Sequence, residues 1–389
     1  MARRRIYLDH AGATPLDPKV ERVILANLKY FGNASSVHQT GSLAGKIVSN
    51  SRKKIATVLG SRPEEIIFTG SGTESANLAI MGVARAYKRL GRHIITTNIE
   101  HQCVEKACEY LVKNEGFELT VIDVNDRGLI DPAQVTKAIR SDTVLVSIIY
   151  ANNEIGTIQP IAKIARTIRE HKNLGTKMFD LPLFHIDACQ AAGTLKLNVQ
   201  ELGVDLLTLN GSKIYGPKGI GCLFGRHGVR LEPLILGGGQ ERGLRAGTEN
   251  PALIAGFAEA LVIANRDRKK ESLKLSKLRD YLIKGILKNI SEARLNGDTF
   301  LRLPNNINMS FENVDGEMLM LALDQKGIEV STGSACTVAE TGPSHVMKAI
   351  GNPDNWGNIR ITLGKQTTKK NLDYVLRQLI TVVTKLRSR

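Results

Sequence analysis

The feature that most constrains the fold of this 389-residue chain is an alternation of short apolar runs with helical segments between about residues 65 and 224. Such an alternation predicts a largely parallel sheet covered by helices, and therefore an α/β fold. The runs that suit buried strands are residues 66–69, 94–97, 120–122, 144–148, 184–187 and 206–209.

The pattern changes after Pro251, where a long helical stretch begins whose Leu and Ile residues recur at helical spacing. It is followed by two strand-like segments and a last helix, at residues 307–311, 359–362 and 372–386. A chain of this length favours two packed domains. We predict a large domain of residues 15–262 and a smaller α+β domain formed by residues 1–14 and 263–389.

Composition limits the class of protein. Hydrophobic residues at 42% and charged residues at 23% are close to globular averages. No apolar stretch reaches the length of a membrane span, and no apolar signal region follows the basic residues 3–5. These observations predict a cytoplasmic protein that binds no membrane.

The formal net charge of +15 has three interpretations: a surface that binds nucleic acid, a surface that binds an acidic protein partner, or a basic face exposed to solvent. The solvated face is the simplest of the three. Basic residues are densest around residues 266–277, where no aromatic residues are interleaved. Since single-strand binders stack bases on aromatic rings, nucleic acid is disfavoured and an acidic partner stays open.

The five cysteines form no C-x-x-C pair and no Cys/His spacing typical of metal ligands, so we predict neither a disulfide framework nor a metal site. Cys222 lies in an apolar run and suits a small buried hydrophobic role. Cys336 differs, because residues 330–337 are small and mostly polar. It is a candidate nucleophile, and a nucleophilic thiol needs its ordinary pKa of about 8.5 lowered or a base nearby.

Three further elements suggest a cofactor site. Residues 69–75 form a glycine turn between a strand and a helix start, where backbone amides favour a phosphate. Asp187 ends an apolar strand, where a carboxylate needs a cation such as a protonated pyridine nitrogen. Lys213 lies in a glycine-rich run, where an amine can bond covalently to a carbonyl compound. Each feature alone is more often structural, but together they indicate a cofactor site.

These residues resemble those of class V, fold-type I pyridoxal-phosphate enzymes, and within them the cysteine desulfurases. The resemblance covers nearly the whole chain and includes the motifs YLDHAGATP at residues 7–15, GNASSVH at residues 32–38 and RITLG at residues 360–364. It implies a fold-type I transferase with a mostly parallel seven-stranded sheet, and pyridoxal 5'-phosphate as cofactor. It also implies that the small domain carries the catalytic cysteine loop.

The resemblance assigns roles to individual residues. Lys213 would hold the cofactor and Cys336 would receive sulfur from L-cysteine, with alanine as the second product. His101 would stack on the cofactor ring near the substrate, and Asn33 and Arg360 would bind the substrate. The remaining cofactor contacts would be the phosphate cup of Gly72 and Thr73, the ring contacts Asn153, Asp187 and Gln190, and Thr248 of a neighbouring subunit.

Two departures from the family pattern stand out. The family usually has Ser-x-His before the cofactor lysine, where the Ser and His help to hold the cofactor, whereas this chain has Asn210 and Ser212 as the cofactor-binding candidates at those positions. Residues 173–182 also suggest a surface insertion. A homodimer with shared sites and a sulfur acceptor such as an iron-sulfur scaffold or a thiolation carrier are implied. The alternatives are a selenocysteine lyase and a decayed enzyme kept as a binding or scaffold protein.

Overall fold

The computed structural model describes residues 5–173, 181–333 and 344–388. The helices in these residues are α1 Pro18–Asn27, α2 Gln39–Leu59, α3 Gly72–Tyr87, α4 Gln102–Glu115, α5 Pro132–Ala138, α6 Ile161–Asn173, α7 Val199–Leu202, α8 Pro251–Asn289, α9 Gly316–Asp324, α10 His345–Ala349 and α11 Lys369–Arg387. The strands are β1 Ile6–Tyr7, β2 Ile66–Thr69, β3 His93–Thr97, β4 Glu118–Ile122, β5 Thr143–Ile149, β6 Leu183–Asp187, β7 Leu206–Asn210, β8 Gly221–Gly225, β9 Ala293–Leu295, β10 Asn306–Glu312, β11 Ile328–Glu329 and β12 Trp356–Thr362.

Seven strands form the central sheet, in the order β2-β8-β7-β6-β5-β3-β4. All adjacent pairs are parallel except the two that involve β8, which runs antiparallel to β2 and β7. Only residues 211–220 separate β7 from β8, which is too short for the crossover that a parallel pair requires. The predicted α/β fold with a mostly parallel seven-stranded sheet is confirmed.

Successive residues on β3 and in the middle of β5 pack into different hydrophobic clusters, as the two faces of a pleated sheet require. On β3 and β5, Ile95 and Val146 belong to one buried cluster, whereas Ile94 and Leu145 belong to another. Both faces of the sheet are therefore covered. This explains why the strands are continuous apolar runs rather than alternating ones.

A separate cluster is built on the antiparallel sheet β12-β10-β9. Leu8 joins this cluster because β1 pairs in parallel with β11, with Ile6 opposite Ile328. Helix α8 serves both units: Phe257 packs with the central sheet and Leu282 with the smaller cluster. The proposed boundary between residues 262 and 263 stays a prediction.

Five strands that run in the same direction deliver candidate residues to one edge of the sheet. The loops after β2, β3, β5, β6 and β7 lead to Gly72, His101, Asn153, Gln190 and Lys213, respectively. The carboxyl ends of parallel strands are where α/β sheets bind ligands. No helix in the described part of the chain has the length and apolarity that a membrane crossing requires.

Candidate active site

Lys213 ends a short 3-10 turn that follows β7. Its Nζ donates to the carbonyl oxygens of Ala11 and Gly12, at 2.9 and 2.7 Å. Gln190 Nε2 donates to the same Ala11 oxygen at 3.0 Å. Two predicted site residues from neighbouring strands therefore meet at one backbone carbonyl of the amino-terminal motif. The sequence of that motif gives no sign that its backbone has this role.

Asp187 is the last residue of β6 and is 6% exposed. Its Oδ1 accepts a hydrogen bond from Cys189 N at 2.9 Å. A carboxylate at this depth needs further positive or donating partners. Asp187 and Lys213 both act electrostatically on His101, with opposite effects on its pKa, so the three side chains lie in one small region.

His101 caps the start of α4, where its Nδ1 accepts from Cys103 N at 3.2 Å. Burial lowers the pKa of His101, and the nearby Lys213 lowers it further while Asp187 opposes the shift. The imidazole is therefore neutral at pH 7. Because Nδ1 is an acceptor, we assign the single ring proton to Nε2.

The turn after β2 leads into α3, whose first residue is Gly72. A Cβ placed on Gly72 would lie 2.9 Å from Cys189 Sγ and 3.1 Å from Asn210 Cβ, so packing requires glycine here. Thr73 lies exposed in the first helical turn. Backbone N–H groups and the helix dipole make such a helix start suitable for a phosphate.

Asn210 and Ser212, the two residues that depart from the family pattern, bond to each other. Asn210 Oδ1 accepts from Ser212 N at 3.1 Å and from Ser212 Oγ at 3.2 Å. Asn210 is also the side chain that packs beside Gly72. Since its oxygen is occupied by Ser212, the Asn210 amide presents its nitrogen donor at the start of α3.

Arg360 lies on β12 and is 3% exposed. Its Nη2 donates to Asp9 Oδ1 at 2.7 Å and its Nη1 to Asn153 O at 3.2 Å. Its Nε is buried without a hydrogen-bond partner among the described residues. The guanidinium thus retains donor capacity for a further anion, which suits the carboxylate-binding role expected of it.

Glu154 is a buried residue that sequence reasoning missed. Its Oε2 accepts from Ser344 Oγ at 2.7 Å, and a Cβ on Gly333 would lie 2.9 Å from the same oxygen. Gly333 and Ser344 therefore both lie against one carboxyl group. They flank residues 334–343, so Cys336 lies outside the described residues and its assignment stays a prediction.

Glu100 is a second buried residue that sequence reasoning missed. Burial raises the pKa of its carboxyl to about 8. Oε1 accepts from Thr97 Oγ1 at 2.7 Å and from Ile149 N at 2.9 Å, while the buried Oε2 has no partner among the described residues. Its backbone oxygen faces His345 Nε2 at 2.9 Å. A glutamate between the apolar Ile99 and the candidate His101 was the only sequence signal.

Two further predicted site residues lie at exposed positions. Thr248 is exposed, in the segment where Arg245 pairs with Glu74 at 2.9 Å. Asn33 is exposed too, and its Oδ1 accepts from Ser35 N at 2.9 Å. Their roles stay predictions. The proposed insertion at residues 173–182 falls largely outside the described residues.

Comparison with known proteins gives the family. The model of the family "Aminotransferase class-V" matches residues 6–375. The chain belongs to the class V aminotransferase family. The chain is similar to a cysteine desulfurase IscS of Dictyoglomus turgidum (strain DSM 6724 / Z-1310), with 47% identity over 389 residues, 99% of this chain and 96% of that protein.

Two further similarities agree with that result. A cysteine desulfurase IscS of Methanosarcina thermophila is 42% identical over 388 residues, 99% of this chain and 93% of that protein. A solved structure described as a NifS-like protein superposes with a TM-score of 0.90 and 35% identity, and covers 98% of this chain and 100% of its own. The class V aminotransferase fold therefore extends over nearly the whole chain.

Proposed function

We propose that this chain is a cysteine desulfurase, which removes sulfur from L-cysteine and leaves L-alanine. The observation that carries the proposal is the meeting of Lys213 and Gln190 at the Ala11 carbonyl, with Asp187 and His101 coupled to the same region. The names of the full-length relatives support this reaction over others of the family.

We infer that the cofactor is pyridoxal 5'-phosphate, because the residues present fit its three chemical groups. Lys213 would supply the amine that attaches its aldehyde, and buried Asp187 would supply a negative charge for the ring nitrogen. The packing-restricted start of α3 suits its phosphate. When bound, the cofactor supplies an electron sink for charge developing on the substrate carbon.

The other proposed contacts follow the residue types. Asn153 and Gln190 are assigned to the ring oxygen, and His101 to the ring face. The phosphate is assigned to Gly72, Thr73, Asn210 and Ser212. Thr248 is assigned to the phosphate of a partner subunit in a homodimer, and its exposure supports that assignment.

Different residues of the chain are assigned to the separate steps of the reaction. Arg360 binds the substrate carboxylate through its remaining donors, and Asn33 is assigned to substrate as well. Lys213 takes the proton from the substrate α-carbon, while His101 stays neutral and can donate only through Nε2. The Cys336 thiolate attacks the substrate sulfur, so that an S–S bond forms and the C–S bond breaks.

The electron pair of the broken C–S bond stays with the substrate carbon, which is protonated to give alanine. Cys336 is left as a persulfide, whose outer sulfur passes to an acceptor protein such as an iron-sulfur scaffold or a thiolation carrier. The small residues around Cys336 suit a segment that must meet first substrate and then acceptor.

A product assay tests the function. Purified protein supplied with L-cysteine and a thiol reductant should release sulfide and alanine in equal amounts. The same assay with L-selenocysteine measures selectivity. Turnover of selenocysteine alone would replace the proposal with a selenocysteine lyase, and no turnover by cofactor-loaded protein would favour a binding or scaffold role.

A further inference from the structure

The surface around the start of α11 has three neighbouring cavities of about 520, 490 and 580 Å³. The first two share Thr367, and the last two share Ile6 and Asn371. We call this surface the basic groove. Three linked cavities suit an extended chain better than a single small anion.

The charge of the basic groove is of one sign. No Asp or Glu is among its described lining residues, although the whole chain has 38 acidic residues beside 53 basic ones. Positive charge is therefore more concentrated along the groove than in the chain as a whole. Its basic lining residues are Arg5, Lys218, Lys270, Lys274, Lys277, Lys326, Lys365, Lys369, Lys370 and Arg377.

Acidic residues outside the groove neutralise only part of this charge. The ion pairs are Arg5 with Asp324 and Glu329, Lys274 with Glu271, Lys365 with Asp17, and Lys369 with Asp373. The other six basic lining residues form no ion pair among the described residues. Their like charges repel one another, so an anionic partner would relieve that repulsion as well as pair with them.

One wall of the groove is a stripe on α8. Lys270, Lys274 and Lys277 are spaced at three and four residues and so lie on one face of the helix. Leu273 stands among them and is 61% exposed, and Leu278 lines the same cavity. A surface that combines lysines with exposed leucine is complementary to a segment that carries both acidic and apolar side chains.

Nucleic acid fits this groove less well. Of its two tyrosines, Tyr7 has its ring against the His10 ring, with centroids 4.9 Å apart. Tyr374 has its hydroxyl tied to Lys326 O at 3.0 Å. The groove therefore lacks a row of free aromatic faces for stacked bases. We propose that the basic groove binds an acidic segment of a partner protein, in extended or helical form, with apolar side chains against Leu273.

A direct binding experiment tests this proposal. A fluorescent peptide of repeated Glu-Glu-Leu units is titrated with the cofactor-loaded enzyme, and fluorescence anisotropy gives the dissociation constant. The test variant carries Lys270→Glu and Lys277→Glu together. The matched control carries Lys113→Glu and Lys137→Glu, which reverse two exposed lysines outside the groove and change the net charge equally.

We expect the groove variant to bind the peptide at least about tenfold more weakly than wild type, because two attractions become repulsions. The control should bind within about twofold of wild type. Both variants should keep wild-type sulfide release, since neither pair of lysines contacts a candidate site residue. Leu273→Ser should also weaken binding, without any change in charge.

Two results would overturn the proposal. An equal loss of affinity in the groove variant and the control would show that net charge, not the groove, attracts the peptide. Tighter binding of a single-stranded oligonucleotide of the same charge, weakened by the same two reversals, would make the groove a nucleic-acid surface.

Discussion

Arg360 Nη2 donates to Asp9 Oδ1 at 2.7 Å, so the candidate carboxylate-binding arginine is already paired with a carboxylate of its own chain. Asp9 belongs to the amino-terminal motif, and its neighbours Ala11 and Gly12 hold Lys213. One short segment therefore orients both the group proposed to bind substrate and the group proposed to bind cofactor. This arrangement gives Asp9 a measurable role.

Asp9→Asn should lower the free energy of unfolding by about 1–3 kcal/mol, because a guanidinium that is 3% exposed loses its charged hydrogen-bond partner. L-Alanine, whose carboxylate can occupy Arg360, should raise the melting temperature of this variant more than that of wild type. Thermal unfolding with and without alanine measures both effects. The control is Asp17→Asn, which breaks the Lys365 pair at 3.1 Å and should show no alanine-specific gain. Equal alanine shifts in Asp9→Asn and wild type would contradict the role assigned to Asp9.

Lys213→Ala should abolish the yellow colour of the purified enzyme, because no other lysine occupies the matching motif position. Borohydride reduction of wild type followed by peptide mapping should find the cofactor on Lys213. Lys218→Ala, five residues along the same glycine-rich run, is the control and should stay yellow. Label on Lys218 in wild type would refute the assignment.

Cys336→Ala should keep the cofactor and still bind cysteine, because the thiol acts only after substrate has bound. Sulfide release should nearly vanish. Cysteine-induced changes in the absorption spectrum measure binding, and a sulfide assay measures turnover. Cys108→Ala, which removes a buried thiol on α4, serves as the control and should keep its activity. Wild-type turnover by Cys336→Ala would show that another group accepts the sulfur.

Glu100 should make the stability of the protein depend on pH. Burial raises the pKa of its carboxyl from the ordinary value of 4.5 to about 8, so between these values the folded protein holds a proton that the unfolded chain has released. The contribution of Glu100 to stability therefore falls as the pH rises through this window. Glu100→Gln cannot ionise, and its melting temperature relative to wild type should rise from pH 5 to pH 8.

The control for this titration is Glu201→Gln, which changes an exposed carboxyl paired with Lys196. Its melting temperature should show no comparable rise relative to wild type over the same pH window. Parallel curves for Glu100→Gln and wild type would mean that Glu100 is ionised in the folded protein throughout the window.

Ser212→His should tighten cofactor retention. Serine offers a single neutral donor, and here its hydroxyl is turned to Asn210 Oδ1 at 3.2 Å. Histidine adds a ring donor that can carry charge beside a phosphate, and a hydrogen bond to a charged group contributes roughly 1.5–3 kcal/mol, which is about tenfold or more in affinity. Cofactor absorbance after dialysis measures the effect, with Ser212→Ala as control. Equal or faster loss from Ser212→His would show that the site has repacked around serine.

The sequence by itself determined the architecture of the large unit. Strands buried on both faces must be continuous apolar runs, so the segments before Gly72, His101 and Lys213 could be recognised and placed in a parallel sheet. Because the carboxyl ends of parallel strands meet at one edge, the grouping of these residues could also be predicted. The motif of residues 7–15 is contiguous in the chain, so it could be recognised from the sequence alone, and it pointed to the family.

Only the tertiary structure decided which groups touch. Lys213 reaches the Ala11 carbonyl across 202 positions of the chain, and Arg360 reaches Asp9 across 351. The raised pKa of Glu100 and the position of Glu154 beside Gly333 and Ser344 arise from burial by elements distant in sequence. Hydrogen bonds act over about 3 Å and desolvation depends on everything packed nearby, so neither effect is encoded in local sequence patterns.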